Sequence, residues 1–125
     1  MKPIAVWDLG VMSQEFQDGP RISQPFADLL IIGIDHELED GSYAWQELRF
    51  TGVVGYLFTF AWSVVREVSF GTLDMVSIYD PRNWPLPVDD VDGLLHYVTF
   101  FDDFGCFEVL AREFVPPASA RLVDG

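Results

Sequence analysis

The chain has 125 residues, half of them hydrophobic and 15% aromatic, which is apolar surface enough for one core and too little length for two. Its net charge of −13 disfavours nonspecific binding to nucleic acid or to an anionic lipid leaflet. A lone Cys106 excludes an internal disulfide, and the start Met1-Lys2-Pro3 lacks the basic segment and long apolar run of an export signal, so the expected setting is cytoplasmic.

In chain order, residues 27–34 form a dense aliphatic run that ends in Asp35-His36-Glu37-Leu38-Glu39-Asp40-Gly41-Ser42, and Tyr43 opens a second run to Phe50. The pattern predicts a hairpin with Asp40-Gly41 at its apex, or a wider acidic loop. The longest uncharged run, residues 50–65, lies between Arg49 and Arg66. It falls short of the roughly 20 apolar residues of a spanning helix. Its β-branched and aromatic content reads as buried strands, and Gly52 and Gly55 predict a bend within residues 49–60. Residues 61–68 fit either a helical turn, with Trp62, Val65 and Val68 at helical spacing, or a strand.

Further along, residues 73–79 alternate as a short strand, and residues 80–93, with Pro81, Pro85 and Pro87, read as one long loop. Residues 95–101 and 106–114 flank Asp102-Asp103-Phe104-Gly105 and predict a second hairpin. Phe107, Val109 and Ala111 fall on one face of it, and Glu108, Leu110 and Arg112 on the other, a face expected to be partly wet. Pro116 and Pro117 end the last strand. The sum is one mainly β domain over residues 1–125, an antiparallel sheet or β-sandwich of five to seven strands with at most one short helix, and residues 116–125 as a short C-terminal tail.

No motif names a chemistry. His36 and His96 stand near acids, yet the metal-ligand spacings HxH, HExxH and CxxC do not occur, so no metal or cofactor is expected. The bland alternative is that His96 pairs across its hairpin and His36 is solvated. Cys106 with His96 and an Asp has the residue types of a nucleophilic site, but Asp102, Asp103 and Glu108 oppose a thiolate, which favours a packed, inert thiol. Asp89-Asp90-Val91-Asp92-Gly93 lacks the later Glu of a calcium loop, and Gly52-Val53-Val54-Gly55 lacks the Lys of a phosphate loop. An enzyme is not expected.

Charge placement does stand out. Residues 35–47 hold five acids and no Lys or Arg, and residues 80–103 hold six acids and one Arg. Gathered on one face, they would steer a basic partner; spread out, they only keep an aromatic-rich chain soluble. The candidate contacts are Asp35, Glu37, Glu39 and Asp40 with Asp89, Asp90 and Asp92. Trp84 is either an apolar anchor at that interface or a plug folding its loop onto the core.

The segment His96-Tyr97-Val98-Thr99-Phe100-Phe101-Asp102-Asp103-Phe104-Gly105-Cys106-Phe107-Glu108-Val109-Leu110-Ala111, with Leu48-Arg49-Phe50-Thr51-Gly52-Val53 upstream, resembles small bacterial proteins, some of them similar to immunity proteins of toxin systems. The likeness covers about a fifth of the chain and carries no contact residue with it. It implies a small acidic domain that neutralises a toxin, and the leading expectation is therefore a noncatalytic protein occluding a basic partner such as a nuclease toxin. A second expectation is a small-ligand binder or enzyme with a pocket lined by Trp45, Tyr56, Phe58, Trp62 and Tyr97. A third is self-association through a strand edge or an exposed aromatic patch.

Overall fold

The computed structural model describes residues 4–10, 16–59, 75–84, 86–101, 104–117 and 121–123. Among these residues ten strands make two antiparallel sheets: β1 (Ile4–Asp8), β2 (Arg21–Phe26), β3 (Leu29–Glu37), β4 (Tyr43–Thr51), β5 (Gly55–Thr59), β6 (Met75–Tyr79), β7 (Leu95–Phe101), β8 (Gly105–Ala111), β9 (Glu113–Val115) and β10 (Arg121–Val123). The first sheet has the order β1-β6-β7-β8-β5. In the second, β2-β3-β4 run side by side, and both β10 and β9 pair with the far edge of β4, β10 at residues 43–45 and β9 at residues 49–51.

The mainly β, antiparallel fold expected from the sequence is present, with more strands than expected. The two hairpins fall where the apolar runs placed them, β3–β4 and β7–β8. Gly41, with φ +85°, turns the first, where the positive φ suits a residue without a side chain. The strands not expected are β1, apolar but mostly exposed, and β2, β9 and β10. All six residues of β2 are exposed, and β9 and β10 have three residues each. Residues 121–123 thus form a strand of the second sheet and not only a tail.

One departure from the predicted strands and one predicted bend share a cause. The expected run over residues 106–114 breaks at Arg112, because the Arg112 N–H turns to the carbonyls of Thr51 and Gly52, at 3.1 and 3.3 Å, and sends the chain from the first sheet to the second. The bend predicted in residues 49–60 is the reciprocal crossing, from β4 in the second sheet to β5 in the first. Gly52, with φ +62°, permits it, and a Cβ there would lie 2.7 Å from Arg112 Cγ.

Alternation fills the space between the sheets. Leu30, Ile32 and Ile34 of β3 and Leu48 and Phe50 of β4 face Val76 of β6, Tyr97 and Phe101 of β7, and Phe107, Val109 and Ala111 of β8. The opposite face of β7–β8, expected to be partly wet, is also covered. His96, Val98, Phe100, Cys106, Glu108 and Leu110 are all buried there, and Trp84 and Leu94 of the loop before β7 pack on Leu110. That loop carries one 3-10 turn over Pro81–Asn83. Residues 61–68, read from the sequence as helix or strand, lie outside the described residues.

Candidate functional site

The β3–β4 tip is closed by hydrogen bonds that leave its acids outside. Leu38 N–H donates to the Ser42 carbonyl at 2.7 Å, and Gly41 N–H to the Leu38 carbonyl at 2.9 Å. Asp40 Oδ1 accepts from the Ser42 N–H at 2.9 Å and from its hydroxyl at 2.5 Å, which holds the Asp40 carboxyl below its ordinary range and keeps it anionic. Glu37, Glu39 and Asp40 are exposed. The strand stops at Glu37, so Glu39 belongs to the turn and not to the pleat.

Asp35 is elsewhere. It is 6% exposed, and its carboxylate accepts the Asp18 N–H at 3.3 Å while its carbonyl accepts the Gln17 N–H at 3.0 Å. It fastens the segment before β2 to β3 and is removed from the candidate contact surface. Trp84, 8% exposed, stands edge-on to His96 with centroids 5.3 Å apart and lies over Gly55. Of its two readings, anchor or plug, the plug describes its position.

Asp89, Asp90 and Asp92 are exposed, but they do not join the tip. Gly93, next to Asp92, lies against the Arg112 guanidinium, and Arg112 is bonded to Thr51 at the end of β4 remote from Tyr43 and the tip. Nine strand residues at ~3.3 Å each separate the two acidic groups by roughly 30 Å. The common acidic face expected from the sequence is therefore two faces at opposite ends of the sandwich. Antiparallel register imposes this, because the tip follows the end of β3 whereas the loop precedes the start of β7. Among the described residues, arginine pairs with Asp18, Glu47 and Asp80, and with none of the six exposed candidate carboxylates.

The histidines are both inside. His96 Nε2 meets Glu108 Oε1 at 2.8 Å across the β7–β8 hairpin, as one expected reading had it. His36, expected to be solvated, is 3% exposed on the core side of β3, with Nε2 3.1 Å from Gln46 Nε2, which also donates to the Leu9 carbonyl. Alternation with Ile32 and Ile34 turns it inward. Among the described residues no group of three or more His, Cys, Asp or Glu is placed to hold a metal ion. Burial, and then the charge of Glu108, push the Cys106 thiol up to about 12, a setting for packing and against nucleophilic attack.

The residues expected to line an aromatic pocket fall as follows. Tyr97 faces the core and Tyr56 and Phe58 lie on the edge strand β5. Trp45 covers Gly33 on the outer face of the second sheet, and Trp62 lies outside the described residues. Sequence reasoning missed the buried polar group of Ser77, His96 and Glu108 on the outer face of the first sheet. The available signal was that Glu108 sits among Val109, Leu110 and Cys106, in a run apolar on both faces.

No family model, no curated protein and no solved structure matches this chain. Among the described residues no helix is long and apolar enough to cross a membrane.

Proposed function

We propose that this chain is a noncatalytic cytoplasmic protein that binds a basic protein through the β3–β4 tip and occludes its positive cleft, in the manner of an immunity protein acting on a nuclease toxin. The observation that carries the reading is the group Glu37, Glu39 and Asp40, exposed on a hydrogen-bonded turn and without an arginine partner among the described residues. A rigid turn holds charge in place at small entropic cost, and a body of net charge −13 reinforces the local field over a Debye length of about 8 Å at physiological salt. Asp89, Asp90 and Asp92, at the other end, contribute steering and not contact.

The test is association with a basic nuclease domain followed from about 50 to 500 mM salt, together with the triple variant Glu37→Gln, Glu39→Gln, Asp40→Asn. Electrostatic docking predicts an on-rate that falls at least about tenfold with salt, and a similar loss in the variant at low salt. Salt-indifferent binding, or a variant equal to the parent, removes the tip from the interface.

A further inference from the structure

The two sheets part at the β1 edge. Val6 of β1, Ile78 of β6 and Tyr97 of β7 face Phe114 of β9 and Pro116 across an open cavity of about 270 Å³. Tyr97 and Phe114 form its aromatic wall, with centroids 6.1 Å apart, and both rest on the buried Phe50 behind them, at 5.3 and 5.2 Å. The cavity lies toward the end of β4 remote from the acidic tip, since Phe114 pairs with Phe50.

The lining selects its guest. The five described lining residues include no ionisable group but the Tyr97 phenol, which burial keeps neutral and whose hydroxyl the Phe114 backbone engages. An apolar cavity of roughly 150 Å³ is enough for benzene, so about 270 Å³ admits a two-ring or branched aliphatic molecule. Anionic amphiphiles are opposed twice, by the net charge of −13 and by the lack of a cation among the described lining residues. The mouth is greasy as well, with Val6 44% exposed and Ile4 beside it on β1 62% exposed.

We propose that this cavity is a binding site for a small, neutral, apolar molecule of about the size of indole, held between Ile78 and the Tyr97–Phe114 wall. The inference is independent of the tip and of any protein partner. Indole is the probe, followed through the backbone amide signals of Ile78, Tyr97 and Phe114 by two-dimensional NMR. Saturable shifts confined to the lining are expected, with a Kd of about 1 mM or tighter, the range open to a ligand of this size. Ile78→Phe fills the cavity and Val6→Phe narrows its mouth from a partly exposed position where folding is least at risk; either should weaken indole by about tenfold or more. Indole-3-acetate, the anionic counterpart, should bind more weakly than indole. Lining signals that do not move, a folded Val6→Phe protein that binds indole like the parent, or indole-3-acetate binding as tightly as indole, would each overturn the proposal.

Discussion

His96 Nε2 and Glu108 Oε1 lie 2.8 Å apart on adjacent strands, with both side chains 3% exposed. Ser77 shares their sheet face, and Ser77 Oγ, His96 Nδ1 and Glu108 Oε2 have no hydrogen-bond partner among the described residues. The pair is the main polar connection within an apolar layer, so among the described residues each member depends on the other for its close polar contact. Removing one leaves a buried polar group alone. Glu108→Ala or His96→Ala should therefore cost about 3–5 kcal/mol, while His96→Leu with Glu108→Met should cost clearly less than the sum of the two, because no polar group is then stranded. Urea unfolding of the four proteins measures the cycle; single losses under about 1 kcal/mol would mean the pair is solvated in the folded state.

This pair also marks where the sequence was legible and where it was not. The hairpins β3–β4 and β7–β8 were readable because alternation and a turn residue agree: Leu30, Ile32 and Ile34 face inward, and Asp40-Gly41 supplies the reversal. The face of Glu108 was misjudged because a carboxylate in a strand reads as solvent, and only the third dimension brings Trp84 and Leu94 over Leu110 beside it. The strands β9 and β10 are three residues long and draw their stability from the edge of β4, a non-local partner invisible to any local window. The acidic blocks were legible as blocks, but their separation depends on which ends of β4 and β7 meet, which charge counting does not encode.

Gly33 sits in the middle of β3, where glycine is costly, and the six-membered ring of Trp45 occupies the space a Cβ would take. The ring is fixed there by Trp45 Nε1 donating to Glu47 Oε1 at 3.0 Å, with Arg49 Nη2 on Glu47 Oε2 at 2.6 Å. Gly33→Ala should displace the indole and cost about 1–3 kcal/mol, and the Trp45 indole N–H resonance should move as the bond to Glu47 is lost. An unshifted indole signal in the variant would show that Trp45 is not seated on β3.

Cys106 is expected to be silent to thiol reagents in the folded protein. Its pKa of about 12 leaves little thiolate near pH 8, and the residue is 1% exposed. Labelling by a disulfide reagent at pH 8 should be fast in urea and limited by opening of the structure in buffer. The same shift sets a sign for stability. Above about pH 9 the unfolded chain releases the thiol proton while the folded one retains it until about pH 12, so the group's contribution makes stability fall as pH rises through that window. Cys106→Ala should flatten this part of the profile; an unchanged slope would assign it to other groups.

Trp84 provides the sharpest separation between a surface anchor and a structural plug. Its ring closes over Gly55, where a Cβ would come within 3.2 Å, and packs with Leu94 and Leu110 while standing at 89° to the His96 ring. The loop that carries it starts from a held turn: Asp80 accepts from Arg82 Nε at 3.0 Å and Nη2 at 2.6 Å, and these bonds bring the Asp80 carboxyl down to about 2. A plug of this kind keeps water from the His96–Glu108 pair, so its loss should be felt there. Trp84→Ala is expected to cost about 3–5 kcal/mol and Trp84→Phe appreciably less. In a double-mutant cycle with Glu108→Ala, the coupling should exceed about 0.5 kcal/mol, because once Trp84 is gone water can solvate what Glu108 leaves behind. An anchor for a partner predicts the reverse pattern: stability nearly unchanged, no coupling to Glu108, and the whole effect of Trp84→Ala appearing in the off-rate of the complex.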